Sequence, residues 1–427
     1  MVKEFGKIIG YDSVKLELER LCDYMLSPDK YKKFGIKMSR GVLLSGPPGV
    51  GKTLMANCLI EASKRKCFVC RKDKPNGEFV KAIKDTFEQA KANQPSIVFL
   101  DDVDKFANER GLNSNAEEYV TIQSCIDDCK ESEVFVVATA NEDGVLPESL
   151  KRAGRFDKII EIDCPVGKEA EDIVKYYLDK KSFVSKVDYK LIARILDGRS
   201  CAQLESVINE AGFYAGYDGR DMIEMDDFVK AALRVIFRAP ESLKQDELCV
   251  IERTAYHEAG HAVINEILND NSVTLVSVCK YDGKIEGVAS TVMQDDYFTF
   301  KKRREEKAIT LLGGKAATEV KFGESDIGCN NDIHRVFTIV ERLADHFCTR
   351  GFNMFEFHTR SSDGLLSRRE DFIFAEIERY YQIAKKILID NREFLDKIAA
   401  ELVEKKTLVL PDIQRIKATC KIVPYKI

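Results

Sequence analysis

His257 and His261 stand four residues apart in the stretch Thr254–Leu268, TAYHEAGHAVINEIL. On a helix, two residues one turn apart point the same way. A pair of neutral imidazoles so placed can share one zinc ion, and the adjacent Glu258 can face a water on that metal and take its proton. His-Glu-x-x-His on a helix is the arrangement of zinc hydrolases. The pattern is short, and surface histidines on ordinary helices also produce it, so the surrounding chain must decide. Tyr256, Ala259, Gly260, Val263, Ile264, Ile267 and Leu268 recur at helical spacing and predict one buried face with the histidines at its edge.

A second stretch, Gly46–Thr53 (GPPGVGKT), is built to hold phosphates. Gly46, Gly49 and Gly51 let backbone N–H groups turn inward around an anion. Pro47, Pro48 and Val50 complete the loop, and Leu54 follows it. Lys52 would reach the β- and γ-phosphates of ATP, and Thr53 would hold magnesium. The bland alternative is a glycine-rich turn.

The elements that must position these groups are legible around them. The apolar run Gly41–Ser45 (GVLLS) reads as a strand entering the glycine loop, with a helix from Thr53 to Arg65 leaving it. A second buried strand, Ser96–Leu100 (SIVFL), ends in Asp101 and Asp102, carboxylates suited to magnesium and water activation. A third, Val134–Thr139, leads to Asn141, and Ile159–Asp163 follows the segment RAGRFDK (residues 152–158). Strands alternating with helices predict a parallel α/β sheet with its ligand at the strand ends. Residues 169–236 are helical by period and form a small lid region.

A proline interrupts the helical period near Arg238–Gln245, marking a boundary. Beyond it, residues 272–294 alternate like strands, and residues 303–322 read as one helix whose Gly313, Gly314, Ala316 and Ala317 suit close helix contact. Another helix begins near Asn331, with Asn330 and Asn331 as plausible caps, and residues 366–405 form long helices. Asp332 falls in the first turn, where an acid commonly just faces the helix N-terminus. His334 lies on the same helix but points elsewhere.

Composition narrows the class. With 427 residues the chain can form two or three domains. Its net charge of -5, with scattered basic residues, gives no electrostatic case for nucleic acid. Its 13 cysteines, odd in number and irregular in spacing, favour a reducing compartment, and Cys67/Cys70 reads as a buried strand pair rather than a metal or redox motif. No apolar run reaches bilayer length, and the first residues resemble neither a signal nor a transit peptide. The expected location is the cytoplasm.

In motif order over nearly its whole length, the sequence resembles the AAA+ ATPases, and within them the FtsH-type ATP-dependent zinc metalloproteases. The resemblance implies an α/β P-loop AAA+ module with a helical lid, followed by a mainly α-helical zinc peptidase domain. The expected boundaries are 1–165, 166–238 and 239–427. It implies that Asn141 is the sensor asparagine and that Arg152 and Arg155 are arginine fingers acting on a neighbouring subunit, hence a homohexameric ring. By spacing alone those arginines could equally be surface ion pairs. The segment GCNNDIHRV resembles the one carrying the third zinc ligand, which makes that ligand Asp332, with Glu319 the runner-up. Zinc, ATP and magnesium are the implied cofactors, and proteins are the implied substrates.

Three features depart from the family. The membrane helices that usually precede the ATPase are not in this sequence. The acidic strand end, usually Asp-Glu, reads Asp101-Asp102, so the water-polarising carboxylate is one methylene short. The substrate-gripping loop, usually aromatic-aliphatic-glycine, aligns with Pro75, Asn76 and Gly77 in a shortened loop, and Phe79 is four residues from the expected place. Two rivals therefore stand beside an ATP-dependent zinc endopeptidase. One is a non-proteolytic AAA+ remodeller with the peptidase domain as scaffold. The other is a peptidase largely independent of ATP.

Overall fold

The computed structural model describes residues 3–35, 40–73, 75–107, 116–152, 154–181, 187–239, 248–279, 287–291, 301–324, 327–347 and 363–427. The chain forms two compact units, one of residues 1–189 with 196–223 and one of residues 190–195 with 224–427.

The first unit is organised by a parallel sheet of β1 (Gly41–Ser45), β2 (Lys66–Cys70), β3 (Ser96–Leu100), β4 (Val134–Ala140) and β5 (Lys158–Glu161), in the order β2-β3-β4-β1-β5. β1, β3 and β4 are buried at every residue, as strands covered on both faces must be. The helices here are α1 (Asp12–Leu26), α2 (Pro28–Lys32), α3 (Lys52–Ser63), α4 (Asn76–Ala92), α5 (Ala116–Asp127) and α6 (Gly167–Asp179). Phe79, Phe87 and Phe106 pack with Leu43, Val98 and Val136 into the core beside the sheet. Register does the functional work. Ser45 pairs with Ala140, Leu100 with Ala138, and Cys70 with Leu100. The loop after β1, Asp101 after β3, Asn141 after β4 and Arg71 after β2 therefore all emerge at one sheet edge, the C-terminal one.

Helices α7 (Tyr189–Ile195), α8 (Cys201–Tyr217) and α9 (Met225–Ile236), like α6, lie within the expected lid stretch. The division between units runs through it: α8 belongs to the first, α9 and nearly all of α7 to the second. A capping box starts α8, with Ser200 and Gln203 each satisfying the other's backbone N–H. The amide of Ala202 then donates to the Gly49 carbonyl at 3.0 Å, tying the start of α8 to the glycine loop.

The second unit is mainly helical. It holds α10 (Leu248–Leu268), α11 (Lys301–Leu311), α12 (Gly313–Phe322), α13 (Asn330–Asp345), α14 (Asp363–Asp390), α15 (Arg392–Lys405) and α16 (Leu410–Lys417). A small antiparallel sheet of β6 (Val273–Ser277), β7 (Val288–Thr291) and β8 (Thr407–Val409) has the order β7-β6-β8. The expected single helix over 303–322 is two, α11 and α12, separated at Leu312. The expected boundary near residues 238–245 falls mostly outside the described residues, as does part of the expected strand region 272–294. Among the described residues, no helix is long and apolar enough to cross a membrane.

Candidate metal centre and nucleotide site

α10 carries His257 and His261, and glycine sets how closely α12 approaches it. A Cβ on Gly260 would lie 2.3 Å from the Gly313 carbonyl oxygen, and one on Gly313 would lie 2.7 Å from that of Gly260. The two backbones are thus in direct contact, which no larger residue allows. At Gly314 a Cβ would fall 2.4 Å from Cε1 of His257, so the imidazole rests on the α12 backbone.

Asp332, in the first turn of α13, completes the cluster. Nε2 of His257 and Nε2 of His261 are 3.1 Å apart. Oδ2 of Asp332 is 3.4 Å from the first and 3.2 Å from the second. The Nδ1 of His261 lies 2.8 Å from the Thr310 carbonyl, in the last turn of α11, where backbone carbonyls lack onward helical donors. A carbonyl only accepts, so Nδ1 carries the proton and Nε2 turns its lone pair inward. The Nδ1 of His257 is buried without a hydrogen-bond partner among the described residues.

Three electron-rich atoms converging at these distances repel one another unless a cation lies between them. The protonation equilibria report the same demand. Burial works against a charged His261, yet Asp332 and Glu258 raise its pKa to about 9. Burial likewise opposes ionisation of Asp332, but its hydrogen bonds to both histidines hold it well below the usual carboxylate range. Two imidazoles and one carboxylate, their ligand atoms all within 4.8 Å of one another, fit zinc by donor type and number and leave a fourth position for water.

Glu258 is buried, and burial raises its carboxyl pKa. A Cβ at Gly287, just before β7, would lie 2.6 Å from Glu258 Oε1, so the strand's entry passes directly over the carboxylate. Glu319, the alternative ligand, is committed elsewhere. It accepts hydrogen bonds from Tyr381 and, at 3.0 Å, from Lys385. His334 is exposed.

In the first unit, Gly46, Gly49 and Gly51 have φ of 153°, 83° and 100°. A Cβ on Gly46 would overlap the Ile162 carbonyl, and one on Gly49 would meet the Cβ of Ala202 at 2.8 Å. Pro47, Pro48 and Leu54 are exposed, and Val50 is buried. Lys52 is 5% exposed and donates to the Gly46 and Pro47 carbonyls at 2.7 Å each and to Asn141 Oδ1 at 2.9 Å. Burial lowers its pKa. A buried ammonium whose partners are two carbonyl dipoles and an amide suits a phosphate anion, so the loop fits a nucleotide.

Thr53 Oγ1 lies 3.3 Å from Asp101 Oδ1, which also accepts from Thr139 Oγ1 at 2.9 Å. The Asp102 amide donates to that same Thr139 hydroxyl at 2.9 Å. A hydroxyl beside a buried carboxylate is a donor set suited to magnesium. Asp102 has a left-handed φ of 56°, pairs with Lys105 at 2.5 Å, and accepts from Asn141 Nδ2 at 3.4 Å. Asn141 therefore touches both Lys52 and Asp102.

Arg152 is exposed, while Arg155 pairs with Asp127 at 2.8 Å and donates to the Ser149 carbonyl. Among the described residues, neither arginine shares a partner with Lys52 or Asp101. β2 and α4 leave only Arg71–Pro75 between them, and Phe79 is 1% exposed, packed edge-on against Phe106 at 5.0 Å. Phe79 is a core residue. Cys67 is half-buried and Cys70 buried, and burial raises their thiols to about 11 and about 12.

Several groups that line the two candidate sites escaped the sequence reading. Thr139 is signalled only as a lone polar residue late in an apolar strand. Arg71 follows from strand register, and Gly287 and the Thr310 carbonyl leave no local signal.

Residues 42–164 match the ATPase family associated with various cellular activities (AAA), and residues 251–416 match Peptidase family M41. Among curated proteins, the chain is 31% identical to the ATP-dependent zinc metalloprotease FtsH 2 of Thermoanaerobacter sp. (strain X514), over 96% of this chain and 82% of that protein. It is 31% identical to the ATP-dependent zinc metalloprotease FtsH of Bacillus subtilis (strain 168), over 97% of this chain and 69% of that one. The relative of the same name from Thermus thermophilus is 29% identical over 96% and 70%. With both halves matched in order along one chain, the protein belongs to the FtsH family of ATP-dependent zinc metalloproteases.

Proposed function

We propose that the chain is an ATP-driven endopeptidase that delivers polypeptides to its own zinc site, working as a homohexamer in the cytoplasm. The observation that carries this reading is the convergence of His257, His261 and Asp332 beside the buried Glu258, in a chain that also holds Lys52 in a phosphate loop. We assign residues 1–165 to nucleotide binding, 166–238 to the lid and 239–427 to the peptidase.

His257, His261 and Asp332 would hold zinc, which when bound supplies a Lewis acid that polarises the scissile carbonyl and acidifies water. Glu258 takes the water's proton and passes it to the departing amine, and its burial favours the protonated form needed between those transfers. Among the described residues β7 is an edge strand of its sheet, and Gly287 brings its start to Glu258. An extended peptide added along that edge would pass the carboxylate with its backbone in register.

In the other site, Lys52 and the loop amides bind the phosphates, and magnesium held near Thr53 and Asp101 would neutralise their charge. Asp102 orients the attacking water, and Asn141, touching both Lys52 and Asp102, links phosphate occupancy to that carboxylate. Arg152 and Arg155 act on the nucleotide of a neighbouring copy, Asp127 holding Arg155 in place. The brief β2–α4 connection, with no aromatic among Arg71–Pro75 or in the Asn76–Gly77 start of α4, favours a weak unfoldase over a strong one. Degradation of an unfolded and a folded substrate, each with and without ATP and with a zinc chelator, tests the reading. No degradation under any condition leaves the scaffold reading, and ATP-insensitive degradation of both leaves the independent peptidase.

A further inference from the structure

β2 and β3 run side by side with Cys70 opposite Leu100, and the Asp101 amide donates to the Cys70 carbonyl at 3.2 Å. The next residue on β2's side is Arg71, and its Nη2 pairs with Oδ2 of Asp101. Asp101 is 3% exposed, whereas Arg71 is largely exposed. The two carboxylate oxygens are thus divided. Oδ1 faces Thr139 and Thr53, the hydroxyl on the magnesium side of the loop, and Oδ2 carries the guanidinium. A single buried carboxylate with a guanidinium on one oxygen is a poorer partner for a divalent cation, because both cations draw on the same charge.

We propose that Arg71 competes with magnesium for Asp101, so that binding of magnesium–nucleotide releases the Arg71 end of the β2–α4 connection. This rests on reading Thr53 and Asp101 as the magnesium side of the nucleotide site. The connection has only five residues between β2 and α4, and Arg71 ties its first residue to the nucleotide site. Loss of that tether reports nucleotide binding to the segment leading into α4. Lys72, the next residue, is not part of the device: its ammonium lies 3.6 Å from Glu118.

The test uses the full chain and a fluorescent ADP, titrated with magnesium from chelated solution. In Arg71→Ala the magnesium concentration for half-maximal tightening should fall about five-fold, as loss of a competing ion pair of ordinary strength predicts. Affinity without magnesium should stay as in the parent. Arg71→Lys, which keeps charge but loses the planar fork, should fall between, and Lys72→Ala should match the parent. Hydrogen–deuterium exchange over residues 71–75 should rise with magnesium–ADP in the parent and be high throughout in Arg71→Ala. An unchanged magnesium midpoint in Arg71→Ala, weaker binding both with and without magnesium, or exchange indifferent to magnesium–ADP overturns the proposal. A parent chain that binds no nucleotide overturns both the proposal and the reading beneath it.

Discussion

Gly260 of α10 and Gly313 of α12 meet backbone to backbone, with room for no Cβ on either side. The contact sets the spacing of the helix that carries both histidines against the helix on which His257 rests. Gly260→Ala should therefore cost about 1–3 kcal/mol through overpacking, read as a lower thermal midpoint. Gly314→Ala should also displace the His257 ring and reduce zinc content, measured by metal analysis. A stable Gly314→Ala protein with full zinc would show that the ring has another place to go.

The metal set separates by variant. Asp332→Asn should weaken zinc binding by about 100-fold or more, since it removes the negative ligand. Glu319→Gln should leave zinc in place, because that carboxylate serves Tyr381 and Lys385. Glu258→Gln should keep zinc and lose peptidase activity, as an amide cannot take the proton. ATP turnover should survive all three, the phosphate loop belonging to the other unit. Equilibrium dialysis with zinc and a quenched peptide assay read these outcomes, and full zinc in Asp332→Asn would send the search back to other carboxylates.

Lys52→Ala should abolish nucleotide-dependent activity, because phosphate loses its buried ammonium. Asp102→Glu should raise ATP turnover by about ten-fold, lengthening the side chain proposed to orient the attacking water. A lower rate would mean that the left-handed backbone at Asp102 already compensates for the shorter side chain. Mixed rings of Arg155→Ala and Lys52→Ala subunits should regain part of the activity at mixed interfaces. Demonstrated mixed rings without recovery would exclude action in trans.

Loosely folded substrates should be degraded far faster than stable ones, since the short connection offers no aromatic grip. Pro75→Phe should improve degradation of the stable substrate, and equal rates for both substrates in the parent would refute the prediction. Phe79→Ala, by contrast, should act through stability, at a cost of about 3–5 kcal/mol for a buried phenylalanine, seen in denaturant unfolding.

Local chemistry was readable where one short segment carries it. The helix of His257 and His261 and the loop before Lys52 each declare themselves by spacing, and β1, β3 and β4 by unbroken apolar runs. Pairings set by register or packing were not readable. Thr139 meets Asp101 because Leu100 lies opposite Ala138, and Arg71 does so because Cys70 lies opposite Leu100. The break at Leu312 is invisible in a helical period that continues across it. Phe79 shows the converse failure: an aromatic near the expected loop is there to fill the core.

On the proposed reading of the β2–α4 connection as the element that moves substrate, its length also sets a gear ratio. Five residues can extend to only roughly 17 Å, and both ends are anchored, so the free excursion of their midpoint is smaller still. A tether of that size delivers a short stroke, and a chain of given length must then be hauled through in more steps. Each turnover's work would be spread over less travel, as in a low gear that slips when the load has no foothold. On such a drive, the lifetime of the substrate's own frayed ends, rather than the rate of ATP turnover, becomes the clock for degradation.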